Sequence, residues 1–139
     1  MRFWDASAIV PLLVEQGASE RCGELLGQDG ELVVWWGTAV ECWSALARLR
    51  RDGRLSEEDA QAAGDLLAVM RDGWNEVEPA EPVREQARRL LGLYLLRAAD
   101  ALQLAAAMVV TSARLELPFV TLDDRLGAAA AEEGFAVIP

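Results

Sequence analysis

The 139 residues contain no histidine, and all thirteen basic side chains are arginine. These two absences exclude Ser-His-Asp and Cys-His nucleophilic machinery, Schiff-base lysines, the P-loop lysine and histidine metal ligands. Chemistry must come from carboxylates, hydroxyls, arginines or a bound ion. Four acids occupy the places where it could be built, each where a strand passes into a helix or where an apolar helix begins: Asp5, Glu41, Asp100 and Asp123. Each also has a local explanation. Asp5 and Asp123 stand at helix N-cap positions, Glu41 follows Thr38 at capping-box spacing, and Asp100 can complement a helix dipole or pair with Arg97.

As a group the acids point elsewhere. Carboxylates brought within several Å repel one another and raise each other's pKa. With no lysine or histidine to neutralise them, the natural counter-charge is a divalent metal, and all-oxygen ligation suits Mg²⁺ or Mn²⁺ rather than zinc. Ser7 and Thr121 each lie two residues from an acid, where they can orient a carboxylate or metal-bound water. The stretch from Leu96 to Ala107 sharpens the case. As a helix it is apolar almost all round and is expected to be buried. Yet it carries Asp100 near its start, with Gln103 one turn on along the same face. Burying an unpaired carboxylate costs on the order of several kcal/mol, so Asp100 needs compensation.

The elements that position these residues follow from periodicity and breakers. Phe3 and Trp4 open a strand ending at Asp5, followed by a helix over Ser7 to Val14, where Pro11 is tolerable only near the first turn. A second helix covers Ala18 to Gly27. Glu31 to Trp36 forms a buried strand, and Thr38 to Arg51 a helix. Ser56 caps a helix reaching Arg71 or Trp74. Val77 lies in a short strand ending at Pro79, and Pro82 starts a helix reaching Leu93 or Tyr94. The Leu96–Ala107 helix continues until Leu117-Pro118 stops it. Phe119 to Thr121 is a strand, Asp123 to Glu133 a last helix, and Phe135 to Ile138 a closing strand. Alternation of this kind predicts an α/β domain over residues 1–139 with a parallel sheet and helices on both faces. In such a sheet the carboxyl ends of the strands share one edge, where sites form, and Asp5, Glu41 and Asp123 each lie just past such an end.

Charge and apolar content bound the class. Acids outnumber bases by ten, which argues against a sequence-independent duplex DNA binder. The longest apolar run, Leu104 to Val110, falls far short of the ~20 residues a membrane span needs. No signal-peptide core follows Met1, so a cytoplasmic location is expected. Cys22 and Cys42 lack metal or redox spacing and read as reduced hydrophobes. Arg48, Arg50, Arg51 and Arg54 complement a helix C-terminus, with RNA-backbone guidance as a second role. Trp35 and Trp36 alternate across a strand, one toward each side of the sheet, with base stacking the lesser reading.

Asp5-Ala-Ser7-Ala after a first strand, Thr38-x-x-Glu41 on a helix, Arg97-Ala-Ala-Asp100-Ala-Leu, and Phe119-Val-Thr-x-Asp123 occur in that order over nearly the whole chain. In this the sequence resembles the PIN-domain ribonucleases, and more closely the VapC-type toxins of bacterial toxin–antitoxin pairs. Gln103 stands where many relatives carry histidine, a departure expected to matter little. Asp124 lies beside Asp123, and the family pattern favours Asp123 as the acid facing the metal. The resemblance implies a PIN-like three-layer fold and a metal-dependent endoribonuclease. Asp5, Glu41, Asp100 and Asp123 would hold one or two Mg²⁺ ions, Mn²⁺ being an alternative, with Ser7, Thr38, Thr121 and Asp124 in support. The products would carry a 5′-phosphate and a 3′-hydroxyl.

Single-stranded or looped RNA is the implied substrate, with Arg48, Arg51 and Arg97 as candidate contacts. A cognate antitoxin, a homodimer, and operator DNA bound only through the antitoxin are the implied partners, and a net charge of −10 suits a basic antitoxin segment. Phosphotransfer receivers and haloacid-dehalogenase-like phosphatases share the general fold but use a lysine that is absent here. A non-catalytic PIN-like module that binds RNA or antitoxin is the remaining alternative.

Overall fold

The computed structural model describes residues 1–112 and 116–139. The helix expected to run until Leu117-Pro118 ends at Thr111, and the part of it expected over residues 113–115 lies outside the described residues. Twelve elements follow one another: β1 (Arg2–Trp4), α1 (Ala6–Leu13), α2 (Ser19–Gln28), β2 (Leu32–Trp35), α3 (Thr38–Arg51), α4 (Glu57–Gly73), β3 (Asn75–Val77), α5 (Glu81–Leu93), α6 (Ala98–Thr111), β4 (Phe119–Val120), α7 (Asp124–Glu132) and β5 (Val137–Ile138).

All strand pairs are parallel, in the order β3-β2-β1-β4-β5. The chain leaves β1 toward β2 and β3 on one side, then returns to place β4 and β5 on the other. The carboxyl ends of β1 and β4 therefore border the point where the winding reverses, the crevice in which open α/β sheets bind ligands. This parallel sheet flanked by helices is the α/β architecture expected from the alternation of elements.

Side-chain alternation along the strands divides the core in two. Trp4 and Val34 face α1 to α4 and pack with Ile9, Cys42, Leu46 and Leu67. Phe3, Val33 and Trp35 face the opposite layer and pack with Val83, Leu90, Leu104 and Leu126. Phe3 stacks on Phe119 of the neighbouring strand with ring centroids 5.3 Å apart. Cys22 and Cys42 are both buried free thiols in the first of these layers.

Several local expectations need correction. Pro11 lies inside α1, beyond the first turn, where its ring removes the backbone bond that would reach the Ser7 carbonyl. The strands are shorter than their apolar runs. β2 stops at Trp35, so Trp36 leaves the sheet and is 48% exposed instead of facing a second core layer, while Trp35 is buried. In α6, Ala101 and Gln103 to Ala107 are buried, but Ala98 and Ala99 are exposed and Asp100 is half-buried. The start of the greasy helix thus emerges at the sheet edge, and its acid comes with it.

Candidate active site

Asp5 is the residue after β1, and its backbone N–H donates to the Val120 carbonyl of β4 at 3.1 Å. Its side chain is 4% exposed and does not cap α1. Ser7 Oγ donates instead to Asp5 Oδ1 at 2.7 Å and accepts from the Leu122 N–H at 2.8 Å, tying the start of α1 to the β4–α7 loop. Thr121 is buried beside this pair, and its Oγ1 accepts from the Asp123 N–H at 3.1 Å. Asp123 itself caps α7, its Oδ1 accepting from the Leu126 N–H at 2.7 Å. That bond leaves its other carboxylate oxygen without a partner among the described hydrogen bonds. Asp124 is exposed in the first turn of α7.

On the other side of β1, Gly37 occupies the N-cap of α3, and the capping box suggested by Thr38 and Glu41 does not form. Both side chains turn instead to Gln103 of α6. Gln103 Nε2 donates to Thr38 Oγ1 at 3.0 Å and to Glu41 Oε1 at 2.9 Å. Gln103 is fully buried. A buried amide inside an apolar helix must find partners. Its place one turn after Asp100 is the available signal in the sequence, but its partners lie more than 60 residues away on α3.

The acids act on one another electrostatically. Burial pushes Asp5 up from 3.8 to about 6, with Ser7 and Thr121 opposing and the Asp123 charge adding to the rise. Burial likewise raises Glu41 from 4.5 to about 7; the Gln103 bond opposes, while Asp5 and Asp100 add to it. Asp100 is raised by burial and by Asp123, and Arg97 and Arg125 only partly offset this. The influences close a circuit: Asp5 to Asp123, Asp123 to Asp100, Asp100 to Glu41, Glu41 to Asp5. Among the described residues no ion pair involves any of the four.

The donor set fits a hard divalent ion in charge and chemistry, being oxygen-only and without a counter-charge. It is not a ready-made ligand shell, since among the described residues no three acidic or thiol side chains are grouped to hold a metal. The candidate RNA contacts divide. Arg97 stands beside the cluster at the N-cap of α6. Arg48 and Arg51 lie in the last turns of α3, about 10 and 15 Å along the helix from Glu41. Between them Arg50 pairs with Glu57 at 3.1 Å. Among the described residues no helix is long and apolar enough to cross a membrane.

The fold and the position of these acids define an α/β protein with four acids near the reversal point of a parallel sheet. The model of the PIN domain matches residues 2–132, and the chain belongs to that family, whose members are generally nucleases. No curated protein matches the sequence. Among solved structures, a toxin-antitoxin complex from Klebsiella pneumoniae is similar at a TM-score of 0.69 and 14% identity, covering 100% of this chain and 97% of that one. FitAcB from Neisseria gonorrhoeae gives a TM-score of 0.70 at 18% identity, again covering 100% and 97%. FitAB bound to an IR36 DNA fragment gives 0.68 at 18%, covering 99% and 94%. At these identities the likeness is one of fold.

Proposed function

We propose that this PIN-domain protein is a metal-dependent endoribonuclease acting as the toxin of a toxin–antitoxin pair. The observation that carries the proposal is the circuit of four mutually repelling acids, two of them raised to about 6 and 7, with no ion-paired cation among the described residues. Asp5, Glu41, Asp100 and Asp123 would hold Mg²⁺ or Mn²⁺, which supplies activation of water and stabilisation of charge on the phosphate and leaving oxygen. The chain's own contribution is placement. Ser7 and Thr121 hold the Asp5 and Asp123 segments together across the crevice, Gln103 and Thr38 fix Glu41, and Arg97 offers a guanidinium beside Asp100 for a backbone phosphate. A single strand with splayed bases reaches such an edge more readily than a duplex, which makes unpaired RNA the substrate class.

An acidic cluster on a chain of net charge −10 suits inhibition by a basic antitoxin segment, with operator DNA engaged through that antitoxin. The similarity in fold to a toxin-antitoxin complex supports this partner. A homodimer is proposed as well, supported by the exposed leucines at the end of α5 and just after it, Leu93 at 61% and Leu95 at 81%. A protein of this size, with no span among the described helices, is proposed to work in the cytoplasm.

The absence of a ready-made ligand shell among the described residues favours one second reading, a PIN-like module that binds RNA or antitoxin without cleaving. Incubating the purified protein with RNA separates the two. Cleavage that requires Mg²⁺, stops with chelator and is lost in Asp5→Asn and Asp100→Asn supports the nuclease. Intact RNA with retained binding supports the module.

A further inference from the structure

Gln103 has a geometry that the proposed cleavage chemistry does not by itself explain. It is fully buried among alanines and leucines of α6, yet its amide reaches out of that helix to two side chains of α3. With Glu41 ionised, as a metal ligand must be, the orientation of the amide follows from its chemistry. An ionised Glu41 offers only acceptors, so the nitrogen of Gln103 must face it. One N–H goes to Glu41 Oε1 at 2.9 Å and the other to Thr38 Oγ1 at 3.0 Å. The carbonyl oxygen stays on the Thr38 side, 3.3 Å from the hydroxyl. Both amide hydrogens are used in this arrangement.

Asp100 lies three residues before Gln103 on the same helix, so one face of α6 presents an acid to the cluster and, a turn later, a donor to Glu41. α6 packs against β2, the strand that leads into α3. Among the described residues, the hydrogen bonds that join α6 to α3 are those of Gln103 to Thr38 and Glu41, so they bear on the spacing between Glu41 and Asp100.

We infer that Gln103 is a positioning residue for the metal centre, a clamp between α3 and α6 that holds Glu41 at the spacing from Asp100 needed to take up a divalent ion. This rests on the metal-centre reading above. Gln103 touches neither substrate nor ion; it acts through Glu41. Groups that orient a ligating carboxylate typically change metal affinity about 10- to 100-fold when removed.

The test is Mn²⁺ binding by calorimetry on the whole chain without RNA. It compares wild type, Gln103→Leu, Gln103→Asn, Glu41→Gln and the Gln103→Leu/Glu41→Gln double variant, with folding checked by circular dichroism. Gln103→Leu is expected to weaken binding by about 10-fold or more. Gln103→Asn withdraws the amide by one methylene while keeping a polar group, and should weaken binding in the same way even if the leucine variant folds poorly. In the Glu41→Gln background, Gln103→Leu should add nothing, because its only route to the ion has gone. Folded Gln103 variants that bind Mn²⁺ like wild type, or effects that add fully in the double variant, overturn the clamp and leave the metal centre standing. A wild type that binds no Mn²⁺, indistinguishable from Asp5→Asn, overturns the metal centre and the clamp with it.

Discussion

Ser7 holds Asp5: its hydroxyl donates to Asp5 Oδ1 at 2.7 Å while accepting from the Leu122 N–H at 2.8 Å. One oxygen thus orients the most buried of the four acids and pins the loop that carries Asp123. Ser7→Ala removes both bonds and leaves the Leu122 N–H without its partner, at a cost of about 1–3 kcal/mol in denaturant unfolding. The same change removes one of the influences that oppose the raised Asp5 pKa, so that pKa rises further. The lower limb of a cleavage pH profile should move to higher pH in Ser7→Ala.

The metal-free protein should lose stability as pH rises through the weakly acidic range. Folded Asp5 titrates at about 6 against an ordinary 3.8, and Glu41 at about 7 against 4.5. Between these limits the folded state binds more protons than the unfolded chain, so unfolding free energy falls with increasing pH and levels off above about 7. The Asp5 contribution amounts to roughly 3 kcal/mol. About 1.4 kcal/mol of the Asp5 part falls between pH 5 and pH 8, a difference that denaturant unfolding in chelator at those two pH values reads. Asp5→Asn should shrink it and should be more stable than wild type at pH 8. Equal stability of the two proteins at pH 8 would contradict the buried, repelled state of Asp5.

Asp100→Asn should behave similarly on a smaller scale, since Asp100 is only half-buried but is raised by its own burial and by Asp123. Without metal the variant should melt no lower than wild type. With saturating Mg²⁺ the wild type should gain melting temperature and the variant should gain little. A clear loss of metal-free stability in Asp100→Asn would show that the carboxylate already has a stabilising partner in the protein.

Much of the site is legible in the amino-acid sequence because its signals are local. Asp5 follows a strand, Asp123 caps a helix, and Ser7 and Thr121 lie two residues from their acids; short-range geometry brings such groups together. Gln103 is not legible in this way, because its meaning depends on Thr38 and Glu41, and only the tertiary fold brings them into reach. Thr38 and Glu41 themselves have capping-box spacing, and tertiary contact with Gln103 overrides it. Trp36 departs from expectation for a different reason. An apolar run does not reveal where strand pairing ends, and β2 stops one residue earlier. Pro11 shows the limit of propensity: a short buried helix tolerates the lost bond because its packing compensates.

Trp4 offers a check on the core beneath the site. Its indole Nε1 is buried without a hydrogen-bond partner. Trp4→Phe relieves that orphaned donor, worth about 1–3 kcal/mol, and this offsets part of the cavity it creates. The net loss should stay below roughly 2 kcal/mol, less than a tryptophan-to-alanine change costs in a core. Thermal or urea unfolding measures it, and a larger loss would mean that the indole N–H has a partner such as a buried water.

The most direct test of the central claim is the chemistry of the cut ends. RNA incubated with purified wild type and Mg²⁺ should yield fragments bearing 5′-phosphate and 3′-hydroxyl groups, and Asp5→Asn and Asp100→Asn should reduce their formation by several orders of magnitude. Fragments with 2′,3′-cyclic phosphate ends, or cleavage that persists in chelator and in both variants, would contradict a metal centre built from Asp5, Glu41, Asp100 and Asp123.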